Sequence, residues 1–168
     1  MPREQPTAEN LAVILQKLSP TELQVVADAL AALKKAPIDK CRFLTDFWGI
    51  TVEEETPGRW RGHMPIRPQI LNRQHIVHGG ATYTLADSLM GYAVWRRYQG
   101  TMACVTVEIK ITYVAPGRGE ELVAEVQVLR AGQTLAYTDC RVLDDTGRLV
   151  AVATGTFYVW DPSQPLPD

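Results

Sequence analysis

One stretch of this chain constrains its fold more than any other. From Gly79 to Trp95 it reads GGATYTLADSLMGYAVW, and Asp87 is the only charged residue in it. His78-Gly79-Gly80 stands at its head, with two flexible residues where a helix can begin. A helix that is apolar nearly all round must be covered on most sides. An acid in its middle either carries a task or is a defect, because desolvation disfavours its charged form.

The covering material is read from the period of the flanking segments. From Phe47, the residues Trp48, Ile50 and Val52 alternate with Gly49, Thr51 and Glu53, as in a half-buried strand. Thr56-Pro57-Gly58 is a turn, and Arg59 to Met64 returns as the second arm of a hairpin. Pro65 to Val77 has no clear period and reads as a loop. The helix runs from Gly79 to about Arg97, with Arg96 and Arg97 in the last turn, where positive charge suits the dipole. Four strands follow, near Ala103–Val114, Glu121–Arg130, Thr134–Leu143 and Leu149–Trp160. Between them stand PGRG, AGQ and DDTG, all turn chemistry. In the first of these strands Val105, Val107, Ile109, Ile111 and Tyr113 alternate with Thr106, Glu108, Lys110 and Thr112.

The expected fold is α+β: six antiparallel strands curled around one long helix. Two helices precede it. Asn10 to Leu18 has apolar residues at helical spacing. Ser19-Pro20-Thr21-Glu22 is a capping box that starts a second helix running to about Lys35. The chain therefore divides into an N-terminal helical extension (1–40), a main domain (41–160) and an irregular proline-rich tail (161–168).

Composition excludes several classes. With 168 residues, 46% of them apolar and 21% charged, the chain can build one substantial core. A net charge of −2 argues against a nucleic-acid partner. Cys41, Cys104 and Cys140 form no CxxC pair, so neither a disulfide framework nor a cysteine-rich zinc site is indicated, and reduced thiols point to a cytoplasmic protein. Cys104 and Cys140 fall in strands and read as core residues. No apolar run is long enough for a membrane span, and the N-terminus has no signal core. His75 and His78 have HxxH spacing, but no third ligand is in sequence range, so no metal is expected.

Asn72, six residues before His78, then His78-Gly79-Gly80 and then Asp87 form a pattern. Together with VTVEIKITYVAPGRGEEL and GRLVAVATGTFYV, it resembles the hotdog-fold acyl-CoA thioesterases of the PaaI group, which act on phenylacetyl-CoA and related thioesters. The resemblance spans roughly Trp48 to Tyr158 and leaves the N-terminal helices aside. It implies hydrolysis of an acyl-CoA, with coenzyme A entering only as part of the substrate and no separate cofactor. It also implies that Asp87 is the base or nucleophile, while His78 and Asn72 shape the loop and orient the thioester. Read without the resemblance, His78 hydrogen-bonds a loop carbonyl and Asn72 caps a turn.

The chemistry and the geometry add two points. Thioester hydrolysis needs donors for the developing oxyanion, and N–H groups at a helix head are unpaired and lie at the positive end of the dipole. Gly79 and Gly80 would supply them. Thr84, Ser88 and Gly91 share the side of Asp87 and are candidate substrate contacts; Ser88 either hydrogen-bonds the ligand or packs. Gly79 and Asp87 lie eight residues apart, about 12 Å along one helix. Both would have to come within about 3.5 Å of one carbonyl. One helix cannot do this, whereas two antiparallel helices across a two-fold axis can. The expectation is an isologous homodimer, open to pairing into a dimer of dimers. Other readings are a hotdog dehydratase or hydratase, and a non-catalytic acyl-CoA-binding regulatory module. No GxSxG elbow supports a serine hydrolase.

Overall fold

The computed structural model describes residues 7–35 and 43–165. Cys41 and the last three residues of the tail lie outside them. The chain divides into two compact units, residues 1–47 and 48–168.

In the first unit, helix α1 (Ala8–Leu15) is capped by Thr7, whose Oγ1 accepts the Asn10 N–H at 3.2 Å. That cap starts the helix two residues before Asn10. Helix α2 (Pro20–Lys35) begins on the expected box. Glu22 Oε2 accepts the Ser19 N–H at 2.7 Å, and Ser19 Oγ accepts the Glu22 N–H at 3.3 Å. A short helix, α3 (Phe43–Phe47), stacks the Phe43 and Phe47 rings 5.6 Å apart.

The second unit is an antiparallel sheet around one helix. Its strands are β1 (Thr51–Thr56), β2 (Arg59–Pro65), β3 (Ala103–Tyr113), β4 (Glu121–Ala131), β5 (Leu135–Asp144) and β6 (Leu149–Trp160). They pair in the order β1-β2-β4-β5-β6-β3. The first strand starts later than its alternation suggests. Trp48 and Ile50 precede it, and Gly49 takes a left-handed φ of +69° between them. What reads as period two there is a helix end followed by a turn, and both aromatic and aliphatic side chains still pack on the core.

Helix α4 (Gly79–Arg97) has the expected limits. Gln99 and Gly100 turn left-handed directly after it, at φ 54° and 73°. Leu85, Ala86, Leu89, Met90, Ala93 and Val94 are fully sealed against the inner face of the sheet. That face is lined by Met64, Leu122, Ala124, Ala136, Val142, Ala151 and Phe157. Small residues let helix and sheet approach: a Cβ on Gly62 would lie 3.1 Å from Leu89 Cδ2. The sheet does not close completely over α4. Tyr83, Thr84, Asp87, Ser88 and Gly91 form a stripe that is only half-buried. The expectation that strands cover most sides holds for the apolar side and stops at this stripe.

Strand β3 corrects the expected alternation. Its pairing with β6 slips between Thr106 and Glu108, leaving Val107 as an extra residue. Cys104 and Thr106 face α4 before the bulge, and Ile109, Ile111 and Tyr113 face it afterwards. Val105 and Val107 are turned outward, 39% and 59% exposed. One bulged residue exchanges the two faces of the strand.

Candidate active site

The head of α4 is built by its own loop. Asn72 Oδ1 accepts the Gln74 N–H at 2.9 Å and the Ile76 N–H at 3.4 Å. This tight turn carries His75 at φ 53°. Backbone bonds then fix the approach: His78 N–H to Ile70 O at 2.8 Å, and Val77 N–H to Gly117 O at 3.0 Å. Asn72 is thus a turn cap, as the plainer reading of it has it. It also lines a cavity of about 370 Å³ with Ile76, Val77, Gly79, Tyr113 and Val150.

His78 is the N-cap of α4, and its Nδ1 accepts the Gly80 N–H at 2.9 Å. The imidazole therefore does not donate to a loop carbonyl through that nitrogen. The bond also changes the reading of the two glycines. The Gly80 amide is engaged, and the Ala81 and Thr82 amides both reach His78 O, at 2.9 and 3.2 Å. Among the described residues the Gly79 N–H has no recorded acceptor, so it is the donor that the helix head offers. On the other side, the Tyr113 hydroxyl donates to Gly79 O at 2.7 Å.

Two turns along, Asp87 sits on the half-buried stripe, and Oδ1 accepts the Thr106 hydroxyl at 2.7 Å. Sequence reasoning missed Thr106 because strict alternation puts it on the solvent side of β3. No sequence signal marks the bulge that turns it inward. Thr84, Ser88 and Gly91 line the same stripe as Asp87. Cys104 lies beside them, its thiol 3.5 Å from Gly91 O. Burial, reinforced by the Asp87 charge, pushes that thiol above its ordinary value and keeps it a poor nucleophile. Burial pushes the Cys140 thiol up to about 12.

The structure thus gathers Asn72, His78 and Gly79 at the helix head, joined by Tyr113, and groups Asp87, Thr84, Ser88 and Gly91 with Thr106 farther along. It does not bring the two groups onto one point. Aromatic side chains along α4 are used in packing: Tyr92 meets Trp60 edge-on at 5.4 Å, and Trp95 at a tilt at 5.8 Å. Arg96 lies over the Trp60 ring, 5.1 Å from its centre. Among the described residues no group of three or more His, Cys, Asp or Glu is placed to hold a metal. No helix among them is long and apolar enough to cross a membrane.

Comparison with known proteins bears on the family and the fold. The profile of the thioesterase superfamily matches residues 74–151, which include the helix head, Asp87 and strands β3 to β5. A putative esterase of Halobacterium salinarum is 31% identical over 145 residues, covering 80% of this chain and 95% of that protein. This chain belongs to the thioesterase superfamily. Human acyl-coenzyme A thioesterase 13 is 34% identical over 112 residues, covering 66% of this chain and 79% of that protein. A Bacillus halodurans protein whose crystal structure contains CoA superposes with a TM-score of 0.78 at 32% identity, over 87% of this chain and 97% of that one. The fold is accordingly the hotdog, and at the level of the family the chain is a thioester hydrolase.

Proposed function

We propose that this protein hydrolyses acyl-CoA thioesters in sites shared between two copies of the chain. The observation that carries the reading is the axial separation of two half-sites on α4: a free Gly79 N–H at the helix head and Asp87 two turns away. The rise of about 1.5 Å per residue forbids one helix from bringing both to the same carbonyl. A second α4, antiparallel and packed stripe to stripe, supplies the missing half.

Two features support such a pairing. Thr84, Ser88 and Gly91 are small, so backbones can approach along the stripe. Strand β3 ends the sheet as an 11-residue edge with Val105 and Val107 exposed beside it. Long apolar edges of this kind readily pair with another strand. Pairing across β3 would make one continuous sheet and set the two stripes face to face.

In the complete site the thioester carbonyl oxygen takes the Gly79 N–H at the positive end of the helix dipole. His78 and Asn72, both held at the helix head, orient the thioester. Asp87 of the other copy acts on the carbonyl carbon, either directly or through a water whose proton it takes. On the water path the C–S bond breaks as the proton taken by Asp87 passes to the CoA thiolate, and the acyl carbon keeps the water oxygen. On the direct path the C–S bond breaks to give an acyl-aspartyl anhydride, and a water then opens it, releasing the free acid, restoring the carboxylate and supplying the proton for the thiolate. Thr106 holds one Asp87 oxygen and directs the other toward the carbon. The cavity of about 370 Å³ beside Gly79 is bounded by Ile76, Val77 and Val150, and suits an apolar acyl group.

The human and Bacillus relatives favour CoA as the carrier. A panel of acyl-CoAs followed with a thiol reagent, together with sedimentation of the active species, tests this reading. Turnover by a strict monomer, or tight acyl-CoA binding without release of thiol, would overturn it. Isotopic oxygen found in Asp87 after one turnover in labelled water identifies direct attack.

A further inference from the structure

The two rings at the helix head touch opposite sides of one peptide group. Tyr113 O–H donates to Gly79 C=O at 2.7 Å, and Gly80 N–H donates to His78 Nδ1 at 2.9 Å. The carbonyl of Gly79 and the amide of Gly80 belong to the same planar unit and point in opposite directions. The sequence of contacts is therefore Tyr113 hydroxyl, Gly79–Gly80 peptide, His78 imidazole. Hydrogen bonds in series polarise one another, so a donor on the carbonyl strengthens the amide as a donor.

The consequence falls on His78. A neutral imidazole that accepts at Nδ1 carries its proton on Nε2. We infer that Tyr113 is a positioning residue that acts through the Gly79–Gly80 peptide group to hold His78 as an Nε2–H donor at the reaction site. The inference rests on the reading of the helix head as the thioester site, and extends it to a strand residue one peptide removed from the imidazole. His78 then serves as a second hydrogen-bond donor beside the Gly79 N–H, and not as a base.

The glycines have a matching explanation. A Cβ on Gly79 would lie 3.3 Å from Tyr113 Cζ and 3.4 Å from its hydroxyl oxygen. A Cβ on Gly80 would lie 3.1 Å from His78 Nδ1. Each glycine keeps a side chain out of the path of one ring. With the Gly80 amide engaged, close access of both rings to one peptide is what the pair provides.

The test uses the full-length protein with ¹⁵N-labelled histidine. There are three histidines in the chain, so a His78→Ala control assigns the His78 ring signals. In the parent protein they should show an accepting Nδ1 and a protonated Nε2. Tyr113→Phe keeps the ring and removes the hydroxyl. It should move His78 toward a mixture of tautomers and lower kcat about fivefold to tenfold, the scale of one hydrogen bond, with KM within about twofold. Gly80→Ala should shift the same signals by displacing the ring. If Tyr113→Phe keeps either the parent kcat or the parent His78 signals, the inference is overturned. Asp87→Asn, assayed in parallel, separates the two levels: full activity there overturns the site reading itself. An inactive Asp87→Asn beside an unaltered Tyr113→Phe overturns only the role of Tyr113.

Discussion

Two aspartates in this domain have opposite surroundings. Asp144, at the turn from β5 to β6, is 4% exposed and fully provided for. Its Oδ1 accepts the Thr146 hydroxyl at 2.6 Å, the Arg148 N–H at 3.0 Å and the Thr146 N–H at 3.2 Å. Its Oδ2 pairs with the Arg148 guanidinium at 2.9 Å. Arg148 in turn donates to Pro116 O at 2.8 Å, which ties this turn to the PGRG loop. Asp87 stands in the middle of a helix and is more open, and its recorded partner is one hydroxyl. A carboxylate whose lone pairs are all used holds a loop in shape. One that keeps lone pairs free on a half-open stripe has capacity left for a reacting molecule.

The largest expected effect breaks the comparison on the Asp87 side. Asp87→Asn preserves shape and the Thr106 contact but removes the base or nucleophile. Turnover of the preferred acyl-CoA should fall by about 10³-fold or more, the scale of losing a reacting group. Thermal unfolding and oligomeric state should stay as in the parent. A variant that keeps parent turnover, or loses its fold, would place Asp87 with Asp144 as a structural acid.

The next effect is the converse. Asp144→Ala leaves the Thr146 and Arg148 donors without their acceptor, and should lower unfolding stability by about 2 kcal/mol. Turnover per folded molecule should change little. The hydroxyl of Thr146 is the main influence holding the Asp144 carboxyl below the ordinary range, with the Arg148 bonds adding to it. A carboxyl depressed in the folded state stabilises it above the unfolded pKa, and loses that contribution as pH falls through the folded value. The stability gap between parent and Asp144→Ala should thus be full at neutral pH and shrink below about pH 4. Urea unfolding at a series of pH values measures it, and a gap independent of pH would assign the effect to packing instead.

The two acids also differ in how the sequence announces them. Asp144 lies in Asp-Asp-Thr-Gly, whose residue types form turns by local hydrogen bonding, so its place is legible from its neighbours. Asp87 is conspicuous because sixteen uncharged residues surround it. The limits of α4 and β6 follow from the same kind of local pattern. What is not legible depends on partners distant in the chain. The Val107 bulge exists only in the pairing of β3 with β6, and it alone decides that Thr106 faces Asp87 and Val105 faces out. The His78 cap escapes notice because the helix-start pattern is written for Ser, Thr, Asp and Asn, while here an imidazole nitrogen takes that place. The late start of β1 hides behind an apparent alternation of Trp48, Ile50 and Val52, which Gly49 interrupts with a left-handed backbone.

The smallest effect sharpens the contrast at the bulge itself. Thr106→Val keeps the size and branching of the side chain and deletes the one hydroxyl recorded on Asp87. If Thr106 orients the carboxylate, kcat should fall about tenfold, the scale of a hydrogen bond to a charged group, with KM little changed. Thr106→Ser, which retains the hydroxyl, should recover most of the loss. Asp144 offers the comparison: it has several donors, so removing the Thr146 hydroxyl alone leaves the others in place. A Thr106→Val variant with parent kcat would mean that the Asp87 carboxylate is oriented by the stripe and its partner across the dimer. The bulge would then serve only to turn Val105 and Val107 outward.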